Sequence, residues 1–259
     1  MAEPQSQKWP DQLWIARHGQ SAGNVARDAA EAAGMPVIDI ADRDMDVPLS
    51  PLGVEQARAL GRWVGGLAPE VRPNVLLCSP YIRARQTMQH VIEAGQVSLE
   101  DVSTVVDERL REKEFGLLDR LTHSGIRERF PDLFEQRRHV GKFYFRPPGG
   151  ESWCDVILRL RGLLDTVTRE YRRERVMIIA HQVIVNCMRY LIERLDEQQV
   201  LEIDRKGDVP NCGVTLYAFD PAAGRHGKLT LQQANFVAPL EMSGTPVTAA
   251  PDVPAAAKP

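Results

Sequence analysis

The 259-residue sequence contains only four cysteines, and no two of them are spaced as a Cys-x-x-Cys pair. They are scattered and lie mostly in apolar segments, so we expect reduced, buried thiols instead of a disulfide framework or a zinc site. The four positions are Cys78, Cys154, Cys187 and Cys212. No two histidines have the spacing of metal ligands either. The sequence therefore predicts that the protein binds no metal.

The sequence also has only a small net charge and no long apolar run. The formal net charge is −3, which gives no electrostatic basis for binding nucleic acid. No apolar run approaches the length of a membrane span, and residues 1–12 are polar with no apolar signal region. We therefore expect a cytoplasmic protein that binds neither membranes nor nucleic acid.

What the sequence does contain is a set of short apolar runs that end in polar residues. Runs rich in Val, Ile and Leu at residues 13–16, 75–78 and 176–180 are each followed by a helical pattern, which is typical of buried parallel strands in an α/β fold. The ends of parallel strands face one crevice of such a sheet, where ligands bind. Four side chains of the loops after these runs are expected to meet there: Arg17, His18, Arg83 and His181.

Two histidines and two arginines at one sheet edge are suited to a phosphoryl group. A histidine with a pKa of about 6.5 is unprotonated near neutral pH and leaves readily afterwards, so His18 is the expected nucleophile. The planar guanidinium groups of Arg17 and Arg83 match the phosphoryl oxygens better than lysine does. Ser79 and Pro80 predict a helix start that puts Arg83 in the first turn, where the N-terminus of the helix favours an anion.

A leaving alcohol also needs a proton, and a carboxylic acid in a loop after a strand is the expected donor. The predicted strand at 103–106 is followed by a highly charged stretch. The stretch alone does not choose among its four candidates, which are Asp107, Glu108, Glu112 and Glu114.

Six motifs in order, between residues 13 and 217, give the sequence a specific resemblance. They are Arg17-His18-Gly19-Gln20-Ser21 with Asn24; Leu49-Ser50-Pro51-Leu52-Gly53 with Gln56-Ala57; Ser79-Pro80 with Arg83-Ala84 and Thr87; Leu110-Arg111-Glu112 with Phe115-Gly116; Gly150-Glu151-Ser152 with Asp155 and Arg159; and His181. With these motifs the sequence resembles the histidine phosphatase superfamily, also called phosphoglycerate mutase-like.

The resemblance implies a three-layer α/β/α sandwich with a mostly parallel central sheet and a small helical cap insertion. It implies no cofactor, and it assigns the catalytic residues as His18, Glu112 as general acid, and His181 beside the phosphoryl group. The substrate-binding residues that it implies are Arg17, Ser21, Asn24, Arg83 and Gln182. Gln182 stands where many members have glycine, which is similar to the fructose-2,6-bisphosphatase branch, but the chain has no Gly-x-x-x-x-Gly-Lys-Ser/Thr loop for a kinase half.

Three functions follow from this resemblance. The favoured one is a metal-independent phosphomonoesterase that acts on a phosphorylated small molecule, or a phosphoprotein, through a phosphohistidine on His18. The second is a mutase of the phosphoglycerate type, although residues 117–122 lack the Leu-x-Gly-Leu-Asn-Lys pattern of the family's mutases. The third is a catalytically inactive module that binds a phosphorylated ligand. The expected partner is the small-molecule substrate, and a homodimer is left open.

The organisation along the chain is one domain at 12–240, with a flexible N-terminus at 1–11 and a disordered tail at 241–259 that is rich in Pro and Ala. Helical spacing predicts helices at 51–67, 81–94, 124–130, 152–171, 184–195 and 197–205. An edge hairpin is predicted from 214–219 and 228–233. A longer segment at 25–47 is expected to form a helix at 27–33 and an acidic loop near the mouth of the site.

A basic segment at 137–146 leaves two interpretations open. It is either a solvated turn followed by a short strand, or part of a cap that holds a second anionic group of the substrate. In the second case Arg138 and Lys142 are the predicted contacts.

Overall fold

A computed structural model describes residues 7–249. Within that range six strands form one sheet, in the order β3-β2-β4-β1-β5-β6. The strands are β1 (Gln12–Arg17), β2 (Val75–Cys78), β3 (Ser103–Val106), β4 (Arg175–Ala180), β5 (Val214–Asp220) and β6 (Lys228–Phe236). The first four are parallel to one another, whereas β5 and β6 pair antiparallel at one edge. The prediction of a mostly parallel sheet with an edge hairpin is confirmed.

The helices of the described range are α1 (Ala22–Ala32), α2 (Pro51–Gly66), α3 (Ile82–Gly95), α4 (His123–Arg129), α5 (Pro131–Val140), α6 (Trp153–Glu170), α7 (Gln182–Glu193), α8 (Glu197–Lys206) and α9 (Ala238–Met242). Every helix predicted between residues 51 and 205 occurs within two residues of its predicted bounds. The helix predicted at 27–33 begins earlier, at Ala22, because Ser21 and Asn24 form a capping box at its N-terminus. The short helix α5 was not predicted, and it contains the first four residues of the basic segment.

Two apolar layers hold the sheet between helices, because side chains of a strand alternate between the two faces of a sheet. On one face α2 and α3 cover Trp14, Ala16 and Met177. On the other face α6 and α7 cover a cluster that includes Leu13 and Ile178. The three-layer sandwich expected from the resemblance is therefore present, with both faces of the central strands buried.

The cap is a third, smaller apolar unit. Its buried residues are Leu118, Leu121, Ile126 and Phe145. The 25–47 segment joins it through an antiparallel bridge between Val37 and Leu121. The insertion and the cap therefore form one layer over the edge of the sheet where the polar loops meet.

The loop after β1 lies unusually close to the first turn of α2. A Cβ atom added at Gly53 would lie 1.9 Å from the carbonyl oxygen of Gln20, and one added at Gly19 would lie 2.4 Å from the carbonyl oxygen of Gly53. Both contacts are with backbone, which cannot move aside without shifting the loop. Glycine at these two positions therefore sets the distance between the loop that carries His18 and the rest of the domain.

We expect Gly53→Ala to lower the free energy of unfolding by about 1–3 kcal/mol, the usual cost of overpacking, even though alanine favours helix. Thermal or urea unfolding monitored by circular dichroism measures the change. The matched control is Gly66→Ala in the same helix, because a Cβ atom at Gly66 meets nothing within 4 Å. Equal stability of the two variants would show that the close approach of the loop after β1 to α2 does not affect the free energy of unfolding.

The predicted disorder does not hold for the described parts of the two termini. Residues 238–242 form α9, and Thr248 exchanges hydrogen bonds with Gln56 and Asn211. At the other end, the backbone N–H of Asp11 donates to Glu174 and Trp9 packs against the core. Residues 1–6 and 250–259 lie outside the described residues, so the prediction for them stays a prediction.

All four cysteines lie in the described range, and none of them forms a disulfide. Cys78, Cys187 and Cys212 are buried, as predicted, whereas Cys154 is half-buried. Burial raises the pKa of the Cys78 thiol to about 12 and raises the pKa of Cys187 as well. These buried thiols therefore stay protonated and unreactive at neutral pH. Between residues 7 and 249, no helix is long and apolar enough to cross a membrane.

Candidate active site

Three neighbouring parallel strands end together and place their following residues at one edge of the sheet. In register, Arg17 of β1 is opposite Ala180 of β4, and Cys78 of β2 is opposite Ile179. The backbone hydrogen bonds continue one step beyond the strands, because His18 N–H donates to Ala180 O at 2.9 Å and Ser79 N–H to Ile179 O at 3.0 Å. The loops that carry the polar residues are therefore fixed by extensions of the strand ladder.

His18 is fully buried and its ring has a defined orientation. Nδ1 lies 2.6 Å from the carbonyl oxygen of Gly19. A carbonyl only accepts, so Nδ1 carries the proton and Nε2 keeps its lone pair. Arg83 Nε donates to this Nε2 at 3.2 Å. The nitrogen that is chemically able to attack an electrophile is therefore the one that faces a guanidinium group.

His181 lies beside His18, with ring centroids 5.0 Å apart. It precedes the first turn of α7, and its Nε2 is 2.7 Å from the hydroxyl oxygen of Ser79. The predicted helix start at Ser79 is wrong, because α3 begins at Ile82 with Tyr81 as its N-terminal cap. Ser79 instead holds the ring of His181, a role that sequence reasoning missed because the two residues are 102 positions apart.

The two arginines are buried beside the histidines, as predicted. Arg17 is fully buried and donates through Nη1 to the carbonyl oxygen of Val209 at 2.7 Å. Arg83, in the first turn of α3, is 2% exposed and pairs with Asp44 of the insertion, with Nη1 3.0 Å from a carboxylate oxygen. Nothing in the sequence identified Asp44 within its acidic run. Asp44 therefore occupies guanidinium donors of Arg83 that an anion would otherwise use.

Among the four candidate acids, Glu112 alone is fully buried. Its Oε1 accepts from the backbone N–H of Lys113 at 2.7 Å, and its Oε2 from that of Val183 in the first turn of α7 at 3.4 Å. This places the carboxyl group next to the helix turn that follows His181. The role of Glu112 as general acid, which the resemblance implies, stays a prediction.

The other three acids are placed differently. Glu108 and Glu114 are exposed, and Glu114 accepts a hydrogen bond from the hydroxyl of Tyr81 at 2.8 Å. Burial opposes the ionisation of Asp107, but hydrogen bonds from Arg109 outweigh it and lower the pKa of that carboxyl. A carboxylate held ionised in this way is a poor proton donor.

Three predicted substrate-binding residues, Ser21, Asn24 and Gln182, are buried and have structural contacts of their own. Ser21 and Asn24 form the capping box of α1, directly after the His18 loop. Gln182 donates through Nε2 to Asp208 at 2.8 Å. Their contacts with a substrate stay predictions.

A second group of cations lies next to Glu112. Lys113 is 7% exposed, and its Nζ lies 4.4 Å from the ring centroid of Phe115. Burial lowers the pKa of Lys113 to about 8, and repulsion from Arg137 and Lys142 adds to that shift. Burial also lowers the pKa of Arg137 to about 10. For Lys113, burial and the two nearby cations outweigh the attraction of Glu112 and Glu151, which acts in the opposite direction.

The predicted contact of Arg138 with substrate is corrected by the structure. Arg138 is 76% exposed and pairs with Glu135 one helical turn earlier, because helix α5 turns it toward solvent. Lys142 pairs with the buried Asp204 and lies 5.3 Å from the ring centroid of Trp153. Arg137, which precedes Arg138, is the residue of the basic segment that faces inward.

A comparison with known protein families matches residues 13–231 to the histidine phosphatase superfamily (branch 1). The chain belongs to the histidine phosphatase superfamily. Its resemblance to that family is thereby confirmed, and with it the assignment as an enzyme.

Individual relatives span two activities. The 2,3-bisphosphoglycerate-dependent phosphoglycerate mutase of Rhizobium meliloti is 30% identical over 203 residues, which cover 76% of this chain and 87% of the relative. The 6-phosphofructo-2-kinase/fructose-2,6-bisphosphatase of Caenorhabditis elegans is 28% identical over 83% of this chain. The match covers only 43% of that bifunctional relative.

The fold is similar to that of solved histidine phosphatases. A mycobacterial glucosyl-3-phosphoglycerate phosphatase, solved with VO3, superposes with a TM-score of 0.66 at 24% identity. The alignment covers 87% of this chain and 99% of that chain. The likeness establishes a shared α/β architecture over nearly the whole domain.

Proposed function

We propose that the protein is a metal-independent phosphomonoesterase that hydrolyses a phosphorylated small molecule through a phosphohistidine on His18. The observation that carries the proposal is the tautomer of His18, with Nδ1–H on the Gly19 carbonyl and the Nε2 lone pair facing Arg83. A neutral imidazole held in one orientation is an activated nucleophile. Two buried arginines beside it match the charge of the phosphoryl oxygens.

In the first step, Nε2 of His18 attacks phosphorus and the ester P–O bond breaks. The phosphoryl oxygens replace Asp44 on Arg83 and also contact Arg17 and His181, which stabilise the charge of the transition state. Glu112 gives its proton to the leaving alkoxide oxygen, so that a neutral alcohol departs.

In the second step, water attacks the phosphohistidine and the P–N bond breaks. Glu112, now a carboxylate, accepts the proton of that water, and inorganic phosphate leaves. His18 returns to its neutral form with Nδ1 still protonated. One carboxyl group thus serves both steps, and the protein ends the cycle in its starting state.

The group of cations beside Glu112 favours a substrate with a second anionic group, a carboxylate or a second phosphate. Lys113 and Arg137 can bind that group at the leaving-alcohol side, since Lys113 adjoins the proposed acid in sequence. Lys142 already has Asp204 as its partner and contributes less. In this proposal the substrate is selected through Lys113 and Arg137 and not through the exposed Arg138.

This selection predicts a pH dependence. The pKa of Lys113 lies near 8, below the usual 10.5, so its cation is present below pH 8 and is lost as the pH rises through that value. We expect kcat/KM for 3-phosphoglycerate, used as a probe with two anionic groups, to fall about tenfold through pH 8. Nitrophenyl phosphate, which lacks a second anionic group, should not show this step.

The variant Lys113→Met should lower kcat/KM for 3-phosphoglycerate about tenfold at pH 7 and remove the step near pH 8. Arg138→Ala is the matched control, because it removes a nearby cation that faces solvent. Identical pH profiles for both substrates in the unmodified enzyme would contradict the second-anion site.

A mutase is the second candidate, since phosphoglycerate mutases are among the relatives at 30% identity. A mutase uses the same histidine but returns the phosphoryl group to an alcohol instead of to water. Segment 117–122, which lacks the family mutases' lysine motif, favours the hydrolase.

Turnover in ¹⁸O-labelled water separates the two reactions. The hydrolase releases inorganic phosphate with one ¹⁸O atom per turnover, and it keeps its rate in EDTA because the charge of the phosphoryl group is matched by the chain's own arginines. Isomerisation of 3-phosphoglycerate at a rate above phosphate release would establish the mutase instead. Loss of activity in EDTA, restored by a divalent metal, would overturn metal independence.

In this proposal the partner that the site requires is a phosphorylated small molecule. The proposed cell compartment is the cytoplasm. The charges at the site are local and buried, so nucleic acid and membranes have no part in the reaction. A second copy of the chain is a candidate partner that sedimentation analysis would detect.

A further inference from the structure

The C-terminal segment at residues 245–249 is connected to the nucleophile loop by a continuous chain of hydrogen bonds. The N–H of Gln20 donates to Oε1 of Gln56 at 2.8 Å, and Nε2 of Gln56 donates to the hydroxyl of Thr248 at 2.9 Å. That hydroxyl donates to Oδ1 of Asn211 at 2.9 Å, and Nδ2 of Asn211 donates to the carbonyl oxygen of His18 at 3.1 Å. The chain therefore closes a ring around the backbone of residues 18–20.

Thr248 is the one residue of this ring that lies outside residues 13–231, the region matched to the superfamily. Gln56 and Asn211 are fully buried, so their amide groups depend on internal partners. Two backbone contacts hold the segment in place, from Asn211 N–H to Thr248 O at 2.8 Å and from Gln56 Nε2 to Pro246 O at 2.9 Å. The hydroxyl of Thr248 accepts from one amide and donates to the other, so it couples the orientations of the two amide groups.

The rotation of these amides matters for His18. If either amide turned over, an NH₂ group would face Gln20 N–H or a carbonyl would face His18 O, and both contacts would become repulsive. The loop would then shift relative to Arg83 and His181. A displacement of about 1 Å at the reacting atoms is enough to cost a large part of the rate.

We propose that Thr248 is a positioning residue that acts through Gln56 and Asn211 to hold His18 in line for phosphoryl transfer. The proposal rests on the proposed role of His18 as nucleophile. It assigns a function to part of the segment that the sequence pattern predicted to be disordered. Thr248 touches no substrate in this arrangement, so its effect is on the rate of the chemical step and not on binding.

The test compares Thr248→Val, which keeps the shape of the side chain, with Thr248→Ser, which keeps the hydroxyl. We expect Thr248→Val to lower kcat for nitrophenyl phosphate about tenfold with KM unchanged within about twofold. Thr248→Ser should retain most of the activity. The rate of phosphoenzyme formation in a rapid-quench experiment should fall by the same factor as kcat.

Thr245→Val is the matched control, because the side chain of Thr245 hydrogen-bonds to the nearby hydroxyl of Ser243 and is not part of the ring. All variants are assayed well below their melting temperatures. Unchanged kcat in Thr248→Val, or equal loss in the valine and serine variants, would overturn the proposal. A wild-type enzyme that forms no phosphohistidine would instead overturn the proposed function, so the two failures are distinguishable.

Discussion

Replacing His18 by alanine is expected to lower turnover of every phosphate ester by about 10⁴-fold or more, the usual cost of removing a nucleophile that acts together with its surroundings. The buried arginines would still bind the phosphoryl group, so phosphate should still inhibit the variant. Steady-state assays with nitrophenyl phosphate measure the loss, because hydrolysis of this substrate does not depend on the general acid.

His90→Ala is the control for this experiment. His90 lies on the outer part of α3 and pairs with Glu93, away from the strand ends. The His90→Ala variant should hydrolyse nitrophenyl phosphate at the wild-type rate. Residual activity of His18→Ala within about tenfold of wild type would mean that another group attacks phosphorus.

The second large effect is expected for Glu112→Gln. Glutamine keeps an oxygen for the N–H of Lys113 but has no proton to give to a leaving oxygen. Because general acid catalysis contributes about 10²–10⁴-fold where the proton is needed, hydrolysis of an alkyl phosphate should fall by that factor. Nitrophenyl phosphate, which has a good leaving group, should lose far less. The ratio of the two rates is the measurement.

Glu114→Gln is the matched comparison, since Glu114 is the neighbouring exposed acid that contacts Tyr81. It should affect both substrates equally and weakly. If Glu114→Gln gave the selective loss and Glu112→Gln did not, the general acid would be Glu114.

The parts of the site that could be predicted are those set by short apolar runs. Burial on both faces of the sheet gives β1, β2 and β4 an unmistakable pattern, and parallel strands place whatever follows them at one edge. For this reason His18, His181 and Arg83 were found without any structure. Glu112 was different, because a charged loop carries no periodic signal, and only the family resemblance separated it from its three neighbours.

The parts that could not be predicted depend on contacts between distant segments. Asp44 on Arg83 and Ser79 on His181 join residues that local patterns treat separately, and nothing in either segment indicates the partner. The C-terminal segment was misjudged for a related reason. Its composition lacks apolar surface, yet polar contacts of Thr248 with buried amides hold it against the domain, and composition does not report such contacts.

For the basic segment, the sequence pattern also failed to predict which of two neighbouring residues faces inward. Its charge was correctly noticed, but its helical conformation was not, and a helix turns successive side chains by about 100°. Arg137 therefore faces inward and Arg138 faces solvent, the reverse of the predicted assignment. Which of these two neighbouring side chains faces inward determines which substitution is expected to alter the choice of substrate.

The most direct measurement is the location of the phosphoryl group during turnover. The enzyme is mixed with excess substrate, denatured within milliseconds in alkali, and analysed by ³¹P NMR and by mass spectrometry of its peptides. The expected result is an acid-labile, base-stable phosphoramidate on Nε2 of His18, which is absent from His18→Ala. A phosphoryl group on His181 or on an oxygen atom, or full turnover with no phosphoenzyme at any time, would contradict the proposed mechanism.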